Sequence, residues 1–158
     1  MPLMRLKPSN HMPRYRLILL PVDGSEASIS ATEHTAMLAR ATDAAVAILA
    51  VMDTSAGFSF GAEGIAVYQR LRADAQAAIE AASAVIRNAG VARVEHLIMD
   101  GTPGAAILEV ADEQGADLIV LSGARAMLGD TSSESSTVHI VRHARCPVLI
   151  VPAERKPV

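Results

Sequence analysis

The chain has 158 residues, of which 51% are hydrophobic and 20% charged, so it is expected to form one globular domain and not a disordered or collagen-like protein. Four residues are aromatic and none is Trp, which argues against a nucleic-acid platform built on base stacking. Residues 1–16 hold four basic and no acidic side chains, which leaves 10 basic and 17 acidic residues, a net charge of −7, in residues 17–158. A body of that sign disfavours duplex DNA or RNA as a partner.

Two residue types that are scarce exclude further classes of protein. Cys146 is the only cysteine, which excludes an internal disulfide and a multi-cysteine zinc site and is typical of a reducing compartment. Lys7 and Lys156 are the only lysines and lie near the ends, so a phosphate-loop lysine is excluded. The sequence contains neither an apolar run long enough to span a bilayer nor a secretory signal. We therefore expect a cytoplasmic protein with no membrane partner and no nucleic-acid partner.

The composition divides the chain into three segments. Residues 1–14 lack periodicity and contain three prolines, which predicts a disordered arm or an added leader before a native start at Met12. Residues 15–152 alternate apolar runs with helical spacings and are predicted to form a single domain. Residues 153–158 are predicted to be a short tail.

The domain is predicted to begin with a strand and a capped helix. Residues 16–23 form a continuous apolar run that ends in a turn at Asp23-Gly24-Ser25, which indicates a strand buried on both faces. Either Ser25 or Ser28 then caps a helix that ends near Thr42. Its predicted buried face holds Ala27, Ala31, His34, Leu38 and Ala41.

A second strand and a long helix follow. Residues 45–52 are again continuously apolar and predict a buried strand. Residues 54–64 contain three Gly, two Ser and both Phe58 and Phe60, a composition that favours a mobile loop beside a site. The helix after this loop is predicted to end at Asn88 and Gly90.

The second half repeats the alternation. Residues 91–99 alternate partly, as an edge strand does, and Thr102-Pro103 predicts the start of a helix that ends before Gly115. Residues 117–122 and 147–151 predict two more strands, separated by a polar loop at 123–133 and a short helix at 134–143.

This order of elements predicts an open parallel α/β sheet with helices on both faces. Ligands bind such sheets beyond the carboxyl ends of the strands, where the strand order reverses. The loops after the first, second and fourth strands are therefore the predicted functional site.

Two segments at that edge carry candidate binding groups, and each has a purely structural alternative. Asp23 is suited either to accept a hydrogen bond from a ribose or base or to cap the first helix. The chain from Ser122 to Thr137 is predicted to wrap a small hollow, in which free N–H groups at a helix start attract a phosphate. The alternative there is a capping box formed by Thr131 and Glu134, with Glu134 supplying the negative charge.

Two kinds of chemistry receive little support. His139, His143 and Cys146 have a spacing that zinc sites use, but they lack a fourth ligand, and helix packing with a buried Cys146 explains them more simply. The glycine fingerprint of dinucleotide-binding folds is absent after the first strand, where Asp23-Gly24-Ser25 stands instead. We therefore expect no catalytic residues and no metal ligands, although the sequence leaves slow ATP hydrolysis open.

Four segments in this order resemble the universal stress protein family: ILLPVDGS at 18–25, DGTPGAAILEVA at 100–111, GADLIVLSGAR at 115–125 and VRHARCPVLIV at 141–151. The resemblance implies a flavodoxin-like, Rossmann-like five-stranded sheet of order 3-2-1-4-5. It also implies a homodimer formed through the last strand at 147–151. In one branch of the family it implies ATP or AMP at the switch point, with Mg²⁺ accompanying ATP.

The phosphate-binding segment departs from that branch. The family pattern is G-x2-G-x9-G-[ST], in which Gly123 fits the first glycine but Ala126 stands at the second. Counted back from Cys146, Glu134 stands at the third glycine and Ser135 at the hydroxyl; in the x9 spacing, Ser136 and Thr137 take these places. A carboxylate in place of a glycine repels phosphate, so the phosphate half of the site is predicted to be degenerate.

The resemblance assigns the remaining roles residue by residue. Adenine and ribose contacts are implied for Pro21, Val22, Asp23 and Val51. Phosphate contacts are implied for Gly123, Arg125, Ala126, Ser135 and Thr137, with Ser122 and Ser136 beside them.

The predicted function is a stress-response module that binds an adenine nucleotide. The alternatives are a nucleotide-free homodimer in which Glu134 fills the phosphate site and partners dock on Phe58 and Phe60, and a protein phosphorylated within residues 131–137.

Overall fold

The computed structural model of the chain describes residues 15–55, 57, 61–123 and 135–153. These residues form five strands and four helices. The elements are β1 (Leu17–Pro21), α1 (Glu26–Thr42), β2 (Ala45–Asp53), α2 (Ala62–Asn88), β3 (Val94–Gly101), α3 (Pro103–Gln114), β4 (Leu118–Gly123), α4 (Ser136–His143) and β5 (Val148–Pro152). No helix in the described ranges is long and apolar enough to cross a bilayer.

The strands form one parallel sheet in the order β3-β2-β1-β4-β5. This confirms the predicted flavodoxin-like fold. The chain moves from β1 to β2 and β3 on one side and returns to β4 and β5 on the other, so the strand order reverses at β1. The carboxyl ends of β1 and β4 therefore flank the switch point at which such sheets bind ligands.

Alternating side chains of the central strands enter two separate core layers. Ile18 and Leu20 pack with α1 and α2 on one face, whereas Leu19 packs with α3 and α4 on the other. All three are fully buried. Strand residues alternate between faces, so continuous apolarity is what a strand covered on both sides requires. The edge strand β3 is less buried, as its partial alternation predicted.

The first helix has the predicted length but a different buried face. Ser25 is its N-cap, and the Ser25 side chain accepts a hydrogen bond from the backbone N–H of Ser28. His34 and Ala41 are exposed, although the apolar spacing placed them in the core. The buried face instead includes Ser28, Thr32, Thr35, Ala39 and Thr42.

The reason lies in the threonine hydroxyls. Oγ1 of Thr35 donates to the carbonyl of Ala31 at 2.8 Å, and Thr32 and Thr42 bond in the same way to carbonyls four residues earlier. A hydroxyl that bonds within its own helix leaves the methyl group free to face the core. The prediction counted mainly apolar residues, and it therefore misplaced the buried face of α1.

Three element boundaries also differ from the predictions. The helix α2 begins at Ala62, within the predicted loop at 54–64, and β3 begins at Val94, where pairing with β2 starts, instead of residue 91. The helix α4 begins at Ser136 with Ser135 as its N-cap, so its start is not at residue 134 and its cap is not Thr131. The proposed capping partners Thr131 and Glu134 lie outside the described residues.

Candidate functional site

A cleft of about 340 Å³ opens beyond the carboxyl ends of β1 and β4. The ends of these strands and of β2 form its floor, and the first turns of α3 and α4 form its walls. The cleft therefore lies at the switch point of the sheet, where the sequence predicted the site.

Eight of the eleven residues predicted from the sequence line this cleft: Pro21, Val22, Asp23, Val51, Ser122, Ser135, Ser136 and Thr137. Gly123 is not in the described lining; a Cβ added there would lie 3.1 Å from the Ile150 side chain, so this glycine serves the contact between β4 and β5. Arg125 and Ala126 lie outside the described residues, as do Glu134, Phe58 and Phe60.

The base of the cleft is apolar. It is formed by Leu49, Pro103, Ile107, Leu121 and Ile140, none of which was predicted as a site residue. Leu49 and Ile140 are at most 1% exposed and belong to the core layer under α3 and α4. Helical and strand periodicity indicates only that such residues are buried, so the sequence carried no signal that they line a cleft.

The rim is polar because the N-terminus of α4 faces the cleft. Ser135 caps this helix, and its Oγ accepts a hydrogen bond of 3.3 Å from the backbone N–H of Val138. The first N–H groups of a helix have no intrahelical partner, and the helix dipole favours an anion beside them. Ser136 and Thr137 add two hydroxyl groups to the same rim.

Asp23 supplies the only carboxylate among the described lining residues. Its Oδ1 accepts a hydrogen bond of 2.9 Å from the backbone N–H of Ser25 and one of 2.8 Å from the hydroxyl of Ser28. Asp23 therefore stabilises the turn into α1, which is the structural role that the sequence allowed. Its Oδ2 has no hydrogen-bond partner within the described part of the chain.

The hydrogen bonds also set the charge of this carboxylate. Burial raises the pKa of Asp23, but the hydrogen bonds from Ser25, Ser28 and its own backbone N–H together outweigh burial and lower it below the ordinary value of 3.8. Asp23 is thus ionised at neutral pH and is an acceptor only. An oxygen of this kind at the rim is suited to a hydroxyl or amine donor of a ligand.

The described residues offer no built metal site. Among them, no group of three or more His, Cys, Asp and Glu side chains is placed to hold a metal ion. The rings of His139 and His143 lie 4.5 Å apart on α4, while Cys146 packs in the core layer under α3 and α4. A magnesium ion at a nucleotide is bound by one or two carboxylates together with phosphate oxygens, and Asp23 is the one carboxylate that the described lining offers.

Comparisons with known proteins agree with this geometry. The sequence profile of the universal stress protein family matches residues 14–152. A universal stress protein of Methanocaldococcus jannaschii is 29% identical over 150 residues, which cover 90% of this chain and 85% of that protein.

Two solved structures share the fold at comparable identity. The universal stress protein UspA of Lactobacillus plantarum has a TM-score of 0.72 and 26% identity, and the match covers 89% of this chain and 99% of that one. The universal stress protein of Archaeoglobus fulgidus in complex with dAMP has a TM-score of 0.64 and 25% identity, and the match covers 87% of this chain and 98% of that one.

Proposed function

Because the chain belongs to the universal stress protein family, we propose that it binds an adenine nucleotide in the cleft beyond β1 and β4. The observation that carries the proposal is the arrangement of three chemically different surfaces around one space. An apolar base, an ionised carboxylate and the start of a helix face the same cleft of about 340 Å³. The complex of the Archaeoglobus fulgidus relative with dAMP supports the same ligand class.

Each part of a nucleotide has a complementary surface in the cleft. The base packs on the apolar residues around Val51 and Leu121, since planar rings gain from leaving water. A ribose hydroxyl donates to Oδ2 of Asp23. The phosphate lies against the N-terminus of α4, where Ser136 and Thr137 provide hydroxyl groups and the helix dipole attracts an anion.

We propose that AMP binds at least as tightly as ATP. The sequence departs from the family pattern at two glycine positions, Ala126 and either Glu134 or Ser136, and glycine is the residue that lets backbone N–H groups come close to additional phosphates. The single phosphate of AMP needs only the N–H groups at the start of α4. The protein is proposed to act as a binding module in the stress response and not as an enzyme.

Calorimetric titration tests the proposal with adenosine, AMP, and ATP with and without Mg²⁺. Val51→Trp fills the cleft and is expected to reduce AMP affinity at least tenfold. Val67→Trp is the matched control, because Val67 is 52% exposed on α2 and lies outside the described lining. Absence of measurable AMP binding by the wild-type protein, or equal affinity in Val51→Trp, would overturn the proposal.

The rival is a nucleotide-free protein in which Glu134 occupies the phosphate position. Glu134→Gly separates the two hypotheses, because AMP binding by this variant alone would show that the carboxylate blocks the cleft. Equal binding by wild type and variant would exclude the rival. GMP serves as the control for base selectivity in both titrations.

We also propose a homodimer that forms through β5. This strand lies at one edge of the sheet and pairs only with β4 among the described strands, so its outer hydrogen-bonding groups are available to a second copy. Sedimentation equilibrium is expected to give twice the chain mass of 16.5 kDa. Ile150→Pro removes a backbone donor in the middle of β5, and a monomer of this variant that retains AMP binding would separate assembly from ligand binding.

A further inference from the structure

A groove runs between α1 and α2, on the face of the sheet opposite to α3 and α4. It consists of two hollows of about 280 and 570 Å³ that share Val85. We call it the α1/α2 groove and define it by Ser28, Ile29, Met37, Ala78, Val85 and Ala89. Ile29 and Met37 are 55% and 59% exposed, so large apolar side chains border the groove without a partner in the described part of the chain.

Two hydroxyl groups that face the groove are already bonded within the protein. The Ser28 hydroxyl donates to Asp23, and the Thr32 hydroxyl donates to the carbonyl of Ser28 at 2.7 Å. Neither hydroxyl has a donor hydrogen left for an occupant. The first hollow is therefore complementary to apolar side chains, which gain most from covering it, whereas Glu33 and Arg40 make the second hollow more polar.

One end of the groove lies near the beginning of the sheet's first strand. The helix α1 packs on β1, β4 and β5, whereas α2 packs on β2 and β3, so the seam between the helices lies over β1 and β2. Both helices follow parallel strands and run back to the edge at which the strands begin. Tyr15, two residues before β1, packs against the same core layer as these helices. The described part of the chain therefore begins beside the lower end of the groove, which Arg40 and Ala89 line.

We propose that residues 1–14 of the same chain occupy the α1/α2 groove. Fourteen extended residues span about 46 Å, whereas the 17-residue α1 is about 25 Å long, so the segment reaches the whole groove. Its apolar residues Leu3, Met4 and Leu6 are suited to cover Ile29, Met37 and Val85.

Charge favours the same occupant. Residues 1–14 contain Arg5, Lys7 and Arg14 and no acidic residue, whereas the rest of the chain has a net negative charge. Within the groove, Glu33 attracts a basic segment whereas Arg40 at its lower end repels it, so the attraction comes from the net negative charge of the domain. The basic segment is thus attracted to the domain as a whole, while tethering to Tyr15 gives it a high effective concentration at the groove.

A cysteine pair tests this placement. In a Cys146→Ser background, the pair Leu6→Cys and Met37→Cys is expected to form an intramolecular disulfide at least tenfold faster than the control pair Leu6→Cys and Glu113→Cys. Glu113 is an equally reachable control, because the loop after α3 is close to the start of β1: Asp117 accepts hydrogen bonds from the backbone N–H groups of Arg16 and Leu17. Equal rates for the two pairs would overturn the proposal.

Removal of the segment gives an independent measurement. In a chain that starts at Met12, the amide resonances of Ile29, Met37 and Val85 are expected to shift, whereas those of α3 and α4 do not. A synthetic peptide of residues 1–14 is expected to reverse these shifts. Shift changes confined to residues 15–18 would contradict the proposal. Resonances of Ile29, Met37 and Val85 that change only with protein concentration would also contradict it, because a second copy of the chain would then cover the groove.

Discussion

The Ser28 hydroxyl donates a hydrogen bond of 2.8 Å to Oδ1 of Asp23, and this contact joins two surfaces of the molecule. Asp23 lines the cleft at the switch point, whereas Ser28 lines the α1/α2 groove on the other face. A change in the turn before α1 therefore alters both surfaces. The pair is also the most direct target for measurements, because the charge of Asp23 depends on it.

Asp23→Asn is expected to lower the free energy of unfolding at pH 7 by less than about 1 kcal/mol, since the carboxylate is partly exposed and its charge-assisted hydrogen bonds are screened. The pKa of Asp23 is lower in the folded protein than its ordinary value of 3.8. Its stabilising contribution is therefore complete above pH 3.8 and is lost as the pH falls through the folded pKa. Urea unfolding of both proteins between pH 7 and pH 2 measures this, and a difference that stays constant to pH 2 would contradict it.

Ser25→Ala is expected to cost about 1 kcal/mol of stability, because it removes the side-chain acceptor at the N-cap of α1. Ser25→Asp retains an acceptor and is expected to restore most of the loss. Asp74→Ala is the control, since this exposed residue has a short polar side chain of the capping type but lies within α2, away from both ends of the helix. Urea denaturation provides the free energies, and an equal loss in the control would show that the cap is not the cause.

Whether a part of the fold or of the cleft could be predicted from the sequence depended on the kind of residue that forms it. The strands were predictable because β1 and β2 are buried on both faces and therefore read as continuous apolar runs. The cleft rim was predictable because Asp23 and Ser135 lie in turns, where polar residues and caps give local signals. Burial alone does not distinguish Leu49 from its neighbours in the core, so the base of the cleft had no signal in one sequence.

Substitutions of Thr35 test why the buried face of α1 includes threonine side chains. Thr35 is fully buried, and within the described part of the chain its hydroxyl bonds only to the carbonyl of Ala31 in its own helix. Thr35→Val keeps the volume and is expected to change stability by less than about 1 kcal/mol, because no donor or acceptor elsewhere loses a partner. Thr35→Ser keeps the hydroxyl but removes the buried methyl group, and it is expected to cost about 1 kcal/mol. A larger loss in Thr35→Val than in Thr35→Ser would refute the apolar role.

Gly104 and His139 are expected to be energetically coupled. A Cβ added at Gly104 would lie 3.1 Å from Cδ2 of His139, so α3 and α4 approach closely at this position. Gly104→Ala gains up to about 1 kcal/mol of helix propensity but crowds the imidazole, and the two effects are expected to cancel nearly. In a His139→Ala background the same change is expected to stabilise by about 1 kcal/mol. A double-mutant cycle of thermal unfolding measures the coupling, and additive effects would show that the histidine yields freely.

Cys146 is expected to react slowly with iodoacetamide, because burial and two neighbouring carboxylates disfavour its thiolate. Burial raises the pKa of the thiol above 9.0, and the carboxylates of Asp112 and Asp117 raise it further. A smaller thiolate fraction at pH 8 lowers the alkylation rate relative to free cysteine.

Asp112→Asn removes one negative charge and releases Arg145, which lies 3.4 Å from the Asp112 carboxylate. Alkylation of this variant is expected to be up to about threefold faster at low ionic strength, with the gain reduced by salt. Glu113→Gln on the same helix is the control, and because the chain has one cysteine, intact mass reports the reaction directly. An equal acceleration in Glu113→Gln would mean that overall charge, and not the proximity of Asp112, influences the thiol.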